Sequence, residues 1–154
     1  MISFANLSKM NWKNKLIYFI AGASLIGFLD SLYLSASHYS QSIHCSVISG
    51  CQEVLASPYS EIMGIPIAFG GVIFYLFILI NALLYLDNQN KWSFKALVYI
   101  PIFGFLFSLY LTYLQIFVIG SVCQYCLLSA LSSTFIFITG IILLKKKEKN
   151  LPVK

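Results

Sequence analysis

The chain has 154 residues, of which 59% are hydrophobic and 10% are charged, and its mean hydropathy is +0.84. A soluble domain of this length cannot bury so much apolar surface, so the composition excludes a soluble globular protein and indicates spanning helices. The net charge of +5 comes from ten lysines without any arginine, and because these lysines flank the apolar runs, we interpret them as topology determinants and not as a nucleic-acid surface.

Four apolar runs predict four transmembrane helices. They cover about residues 16–37, 65–86, 97–119 and 123–144. Each has about 22 residues, close to the roughly 20 that cross a hydrocarbon core, and long runs of this kind satisfy their backbone amides as helices. The first run exceeds the about 7–15 apolar residues of a cleaved signal and contains Asp30, so we expect it to be retained. The sequence predicts an all-α, polytopic, single-domain four-helix bundle over residues 1–154.

The lysines predict which side of the membrane each loop occupies. Loop 38–64 and turn 120–122 contain no lysine. By the positive-inside rule, these two segments face outward and both termini are cytoplasmic. All four cysteines then lie on the outer side of the membrane, where disulfides persist. The lysines themselves are Lys9, Lys13 and Lys15 before the first run, Lys91 and Lys95 between the second and third, and Lys145, Lys146, Lys147, Lys149 and Lys154 at the end.

An internal repeat links the first and third runs. Residues 27–35, GFLDSLYLS, return as residues 104–112, GFLFSLYLT, with seven identities in nine. Each copy is followed at nearly the same distance by a cysteine, Cys45 or Cys123. Chance similarity between two Phe/Leu/Tyr-rich helices is one interpretation. We favour the other, two parallel hairpins that each present a cysteine pair outward, because the cysteine offset follows the repeat.

Cys45 and Cys51 form the first cysteine pair, in the outer loop. They enclose five residues, and Gly50 permits the tight turn that a bridge between them needs. Such a short closure adds little stability, and an exposed bridge in a loop is of the kind that exchanges. A static clip is the alternative, because static bridges are usual in exported proteins.

The segment after Cys51 predicts a short helix at the outer interface. Ser57 is typical of an N-cap, Pro58 of the first helical position and Gly64 of a stop. We expect its apolar side to cover the mouth of the bundle near Cys126, with Glu61 toward water; an ordinary loop turn is the alternative. The apolar residues of this segment are Leu55, Tyr59, Ile62 and Met63.

Cys123 and Cys126 form a C-x-x-C at the start of the last run. Three residues apart, they share one face of the first helical turn, where the positive end of the helix dipole lowers a thiol pKa. This favours a redox-active dithiol. Half of a zinc site, completed by ligands such as His38 or His44, is one alternative, and a static disulfide is another.

Asp30 is an acid within a predicted span. An intramembrane carboxylate is expensive and normally faces the bundle interior, with a partner or water. We interpret it either as a proton or hydrogen-bond group near the cysteines, or as a residue packed against a polar neighbour such as Gln115 or Thr112.

In chain order these motifs resemble the vitamin K epoxide reductase family, particularly its bacterial members. The motifs are DSLYL at 30–34, the two loop cysteines, LASPY at 55–59, GIP at 64–66 and CQYC at 123–126. The resemblance covers about residues 27–144. It implies a four-helix bundle that encloses a quinone and passes electrons to it from thioredoxin-fold proteins.

The resemblance also implies roles for individual residues. Cys45 and Cys51 match the shuttle pair of the loop, Cys123 and Cys126 match the active-site pair with Cys126 nearest the quinone, and Ser57 matches the serine of the short outer helix. The fused thioredoxin-like domain of many bacterial members is absent after residue 144, so we expect a separate DsbA-like donor. The residues that we expect around the quinone are Ser57, Asp30, Phe69, Phe105, Leu109 and Leu127.

The sequence therefore predicts a quinone-linked thiol–disulfide oxidoreductase that supports disulfide formation in exported proteins. Its acceptor is ubiquinone, menaquinone or a quinone of the vitamin K type, and no metal is expected. Two other functions stay open: reduction of vitamin K quinone or epoxide, and metal binding without catalysis. A DsbB-type oxidase fits less well because its C-x-x-C belongs in the first outer loop.

Overall fold

The computed structural model describes residues 12–40, 50–62 and 64–149 and is dominated by four long helices. This confirms the predicted all-α class and the four spans, since all four helices are long and apolar enough to cross a membrane. Cys45 and Met63 lie outside the described residues. The elements are α1 (Trp12–Ser40), α2 (Cys51–Leu55), a 3₁₀ turn (Pro58–Ser60), β1 (Glu61–Ile62), β2 (Ile65–Pro66), α3 (Ile67–Asn88), α4 (Lys91–Tyr113), a π-helical turn (Leu114–Ile119) and α5 (Gln124–Lys149).

The third span begins six residues before the apolar run that predicted it. Asn90 caps α4: its side-chain oxygen accepts a hydrogen bond of 3.1 Å from the Trp92 N–H. Such a cap satisfies one of the free donors of a first helical turn, so it fixes where the helix starts. The charged Lys91 and Lys95 are consequently part of the helix, although hydropathy placed them in a loop.

The four long helices form a closed ring. α1 packs against α3 and α5, and α4 packs against the same two helices from the opposite side. At the end that carries Lys91 and Lys145 the ring is filled by a buried apolar cluster. At the other end a second cluster contains Leu34, Cys51, Val54 and Cys123. The interior of the bundle is thus packed with apolar side chains at one end, and it contains cysteines at the other.

Both copies of the internal repeat begin with a glycine that receives an aromatic ring from α3. Tyr75 packs on Gly27 of α1, where an added Cβ would lie 2.5 Å from the ring, and Phe74 packs even more closely on Gly104 of α4. Small residues let transmembrane helices approach in this way. The hydroxyl of Tyr75 also donates to the Ser129 carbonyl of α5 at 2.6 Å. α3 therefore contacts all three other helices through two adjacent residues.

The outer layer is shorter and less helical than the predicted interfacial helix. α2 and the 3₁₀ turn supply the helical part, and β1 and β2 then form a two-stranded antiparallel hairpin around Gly64, whose φ is +79°. Ser57 does precede the first helical residue, Pro58, but its hydroxyl donates to the Val54 carbonyl at 2.7 Å and makes no cap hydrogen bond. The N-capping role predicted for the Ser57 side chain was therefore wrong.

The hairpin is attached to the end of α1 by a contact between a histidine and a carboxylate. Glu61 was expected to face water; its side chain is about 44% exposed, and its carboxylate lies 3.1 Å from His38 Nε2. Ile62 was expected to face the bundle, but it is exposed. The chain leaves the 3₁₀ turn at Ser60 and continues as β1, and both residues of this strand are exposed, so Ile62 no longer shares a helical face with Leu55 and Tyr59.

Candidate active site

The C-x-x-C lies at the N-terminus of α5. Cys123 precedes the helix and its carbonyl accepts the hydrogen bond of the Leu127 N–H at 3.1 Å, so it occupies the capping position. Cys126 follows in the first turn. Both cysteines are free thiols; Cys123 is fully buried and Cys126 is half-buried.

The Cys123 sulfur is stabilised as a thiolate. The Cys126 thiol hydrogen-bonds to it, and the backbone N–H groups of Cys126 and Tyr125 do so as well. These donors outweigh the opposing effect of burial and lower the pKa of Cys123 to about 6. A thiol with a pKa below neutrality is both a reactive nucleophile and a good leaving group in disulfide exchange.

Gln115 holds this turn in place, and the sequence analysis missed that role. Its side-chain oxygen accepts the Cys123 N–H at 3.3 Å, and its side chain also hydrogen-bonds Cys126. Its own carbonyl accepts the Ser121 N–H at 3.1 Å. The residue is buried in the π-helical turn, a feature that often marks functional sites. The available signal was a lone amide side chain near the outer end of an otherwise apolar span.

Cys51 reaches the C-x-x-C from the outer layer. It is disulfide-bonded and fully buried, and it shares a buried cluster with Cys123. The preceding residue, Gly50, lies against the backbone of Val122: a Cβ at position 50 would be 2.8 Å from the Val122 carbonyl oxygen. The residues immediately before Cys51 and Cys123 are therefore in direct backbone contact.

A polar contact secures the same junction. Ser121 Oγ donates a hydrogen bond to the Glu53 carboxylate, so that α2 is joined to the turn before α5. Both side chains are on the exposed side of the junction, and the buried cluster lies on the other. The two cysteine-bearing segments are thus held together from both sides.

A cavity of about 470 Å³ extends from the outer layer into the bundle. Its volume lies in the range of about 300–1,000 Å³ that is typical of pockets for small ligands. The lining is mostly apolar, and Cys126 and Gln115 are part of it. Its aromatic walls are Phe74, Tyr75, Phe103 and Phe107, together with Tyr59 from the 3₁₀ turn.

Two of the six residues predicted around a quinone, Asp30 and Ser57, line this cavity, and the active-site Cys126 lines it as well. Phe69, Phe105, Leu109 and Leu127 do not line it, which corrects their predicted place. Phe69 and Leu109 are about half exposed on the outside of the bundle, and Phe105 stacks on Phe137 at 4.5 Å between ring centroids. The faces of α3 and α4 that meet the cavity instead carry Phe74, Phe103 and Phe107.

Asp30 is buried beside the cavity without a hydrogen-bond partner. It is 7% exposed, and neither carboxyl oxygen has a partner within the described part of the chain. The two polar neighbours expected for it are engaged elsewhere: Gln115 with the cysteines, and the Thr112 hydroxyl with the Ser108 carbonyl at 2.9 Å. Neither residue therefore supplies a hydrogen bond to Asp30.

The described residues contain no cluster of ligands that would support the alternative of a zinc site. Among residues 12–40, 50–62 and 64–149, no group of three or more His, Cys, Asp or Glu side chains could hold a metal ion. His38, one of the ligands considered, lies beside Glu61. His44 lies outside the described residues.

Comparison with known families agrees with the fold and with this site. The model of the vitamin K epoxide reductase family matches residues 18–141, a range that includes all four cysteines, Asp30 and the cavity. Members of this family are membrane oxidoreductases that are generally linked to quinones and to a redox partner protein. The resemblance seen in the sequence is thereby confirmed, and the chain belongs to the vitamin K epoxide reductase family.

Proposed function

We propose that this protein is a thiol oxidase of the bacterial inner membrane. It takes electrons from an exported thioredoxin-fold protein and passes them through its two cysteine pairs to a membrane quinone. The observation that carries the proposal is the junction at which Gly50 and Val122 meet, with Cys51 and Cys123 in one buried cluster beside a cavity that Cys126 lines.

The cavity fits a quinone ring better than a polar substrate. Its lining is apolar and aromatic, with a small number of polar groups that can orient a ring, as in most small-molecule pockets. Ser57 and Asp30 are our candidates for contacts with the ring oxygens. A bound quinone would supply an acceptor for two electrons and two protons; ubiquinone and menaquinone both meet this requirement.

The first half of the relay moves two electrons inward from the donor. A thiolate of the donor attacks Cys45 of the Cys45–Cys51 bridge, and Cys51 leaves as a thiolate. Cys51 then attacks Cys123 of the Cys123–Cys126 bridge, and Cys126 leaves. Each attack forms one S–S bond and breaks one, so two electrons move inward without a change in the number of disulfides.

The second half resets the loop and leaves a reduced active-site pair. The second donor thiol releases Cys45, which attacks Cys51 and displaces Cys123 as a thiolate. The lowered pKa of Cys123 makes it a good leaving group at this step. Closure of the Cys123–Cys126 bridge then gives up two electrons at the cavity.

The relay is tested by removing its last thiol. Cys126→Ala should accumulate a Cys51–Cys123 bridge, detectable by mass spectrometry of peptides prepared without reductant, because Cys123 then has no partner of its own. The purified wild type, mixed with a reduced DsbA-like protein and ubiquinone, should form one hydroquinone per substrate disulfide, and Cys126→Ser should abolish this activity.

Two results would count against the proposal. Many turnovers of the wild type without any quinone would show that the acceptor is wrong. A Cys126→Ala protein that retains only the Cys45–Cys51 bridge during turnover would mean that the loop bridge is a static clip. Replacing ubiquinone by vitamin K epoxide in the same assay tests the alternative activity of the family.

A further inference from the structure

The carboxyl group of Asp30 is the least satisfied polar group beside the cavity. Neither oxygen has a hydrogen-bond partner among the described residues, although the side chain is more than nine-tenths buried. Leaving a buried polar group unpaired costs about 1–3 kcal/mol, and more for a charged one. An intramembrane acid kept at such a cost is a candidate for function.

The cavity offers few groups that can carry a proton. Among the described residues that line it, Asp30 is the only one with an ionisable carboxyl, amino or imidazole group, and Cys126 is the only one with a thiol. Of the two lining tyrosines, Tyr75 uses its hydroxyl proton in the hydrogen bond to Ser129, and Tyr59 belongs to the 3₁₀ turn of the outer layer. Reduction of a quinone consumes two protons for every two electrons, so these protons need a route into an apolar space.

Asp30 is electrostatically coupled to the thiols that would release protons. The titratable groups that sense its charge are Cys123, Cys126 and Tyr125 around the start of α5, and Tyr75 of α3. α3 and α5 are the helices against which α1 packs. Asp30 and Cys126 line the same cavity, so a proton released by the Cys126 thiol can reach the Asp30 carboxylate without leaving this space.

We propose that Asp30 carries a proton from Cys126 to the quinone that occupies the cavity. This inference rests on the proposed function. When the Cys123–Cys126 bond closes, the two sulfurs lose two electrons and Cys126 loses its proton. Asp30 accepts this proton as a carboxylate and gives it to a quinone oxygen, which restores its starting state; the second proton comes from water at the outer mouth. The products are one disulfide and one hydroquinone.

The test is a single-turnover reaction. The active-site pair is reduced with dithiothreitol, the reductant is removed, and the protein is then mixed with ubiquinone. Asp30→Asn keeps the shape but cannot carry the proton, and it should slow hydroquinone formation about 100-fold, within the range for loss of a general acid or base. It should also remove the pH dependence and reduce the solvent deuterium isotope effect. Asp30→Glu should restore both.

Asp87→Asn is the matched control. Asp87 is an exposed acid at the opposite end of α3, hydrogen-bonded by Asn88, and the same substitution there should leave the rate unchanged. Formation of the Cys51–Cys123 bridge should also stay normal when Asp30→Asn is added to Cys126→Ala. Bridge formation comes before the transfer of electrons and protons to the quinone in the cavity.

A wild-type rate and pH profile in Asp30→Asn would overturn the inference while leaving the thiol oxidase intact. Failure of the wild type to reduce any quinone would instead overturn the proposed function. If Asp30→Asn does not fold, the wild type alone still decides: a single-turnover rate with no solvent isotope effect and no dependence on pH contradicts a proton carrier.

Discussion

Gly50 occupies the tightest point between the two cysteine pairs. Its φ of −78° is accessible to any residue, so glycine is required here by space and not by backbone conformation. A Cβ would lie 2.8 Å from the carbonyl oxygen and 2.9 Å from the nitrogen of Val122, and neither backbone atom can move aside as a flexible side chain would. A methyl group at this position therefore separates Cys51 from Cys123.

Gly50→Ala should slow transfer between the cysteine pairs. A misplacement of about 1 Å lowers a reaction rate by roughly 100-fold, and we expect a loss of that order. In a Cys126→Ala background the measurement is the rate at which the Cys51–Cys123 bridge forms, read by mass spectrometry. Thermal unfolding of the same protein reports whether the fold is retained.

The control for this change is Gly22→Ala, because a Cβ at Gly22 of α1 meets no atom within 4 Å. It should leave bridge formation as it is. An unchanged bridge rate in Gly50→Ala would show that the backbone contact does not position Cys51. Equal losses in both variants would point to a general effect of alanine in this protein.

At this scale the sequence predicted chemistry better than orientation. The cysteines, Asp30 and Ser57 were recognisable because a thiol pair, a membrane acid and a motif serine are rare in apolar sequence. Phe69, Phe105, Leu109 and Leu127 were misplaced because a helix that is apolar on all sides carries no signal for its inward face. The role of Gln115 depends on the π-helical turn, which the sequence did not indicate.

Among the elements, α3 determines how closely the others approach. Phe74 and Tyr75 are adjacent in α3, yet they pack on glycines of different helices, Gly104 in α4 and Gly27 in α1. Both rings also line the cavity. The glycines that open the two repeat copies thus set the spacing of α1 and α4 around α3 and the width of the pocket.

Gly104→Ala should destabilise the bundle by about 1–3 kcal/mol, the range for overpacking a filled interior. The added Cβ meets the Phe74 ring, which is held between α3 and α4. The unfolding free energy in detergent is the measurement. Combining the change with Phe74→Leu should recover much of the loss, because the smaller side chain makes room for the methyl group.

A double-mutant cycle separates this contact from other effects of the two changes. Additive losses from Gly104→Ala and Phe74→Leu would mean that the ring and the glycine do not constrain each other. Gly22→Ala again serves as the comparison for an alanine with free space around it.

The sequence predicted the lengths of the elements correctly where burial in lipid determines them. It predicted them wrongly where local hydrogen bonds determine them. The four spans were predictable because a membrane sets a minimum apolar length. The early start of α4 depends on the Asn90 cap, and the hairpin after Pro58–Ser60 depends on the left-handed turn at Gly64. Both are single-residue effects that hydropathy does not measure.

The whole molecule has two chemically distinct ends. Lys91 and Lys145 lie at the ends of helices opposite the turn that carries Cys123, with α2 on the same side as that turn. The positive-inside rule predicts that the lysine end is cytoplasmic. The cysteines would then face the periplasm.

Membrane-impermeant maleimide should therefore label the reduced protein in cells whose outer envelope alone has been made permeable. Lys91→Cys, placed in a chain without its native cysteines, is the opposing control: it should be labelled only after the inner membrane is broken. Mass spectrometry of the labelled protein gives both answers. The reverse pattern would place the cysteines in the cytoplasm and remove the basis for an exported donor.

The packed cluster between the cavity and the lysine end has a further consequence: it separates the cysteines from that end of the protein. Its buried hydrophobic residues pack against one another inside the ring: Ile17, Ile20, Tyr75, Ile78, Ala82, Phe94, Leu97, Val98, Ile136 and Leu143. On the predicted topology, glutathione and other cytoplasmic reductants reach the side of this cluster that faces away from the thiols. The protein can then lie between two compartments of different redox potential without thiol–disulfide exchange between its cysteines and the cytoplasmic reductants.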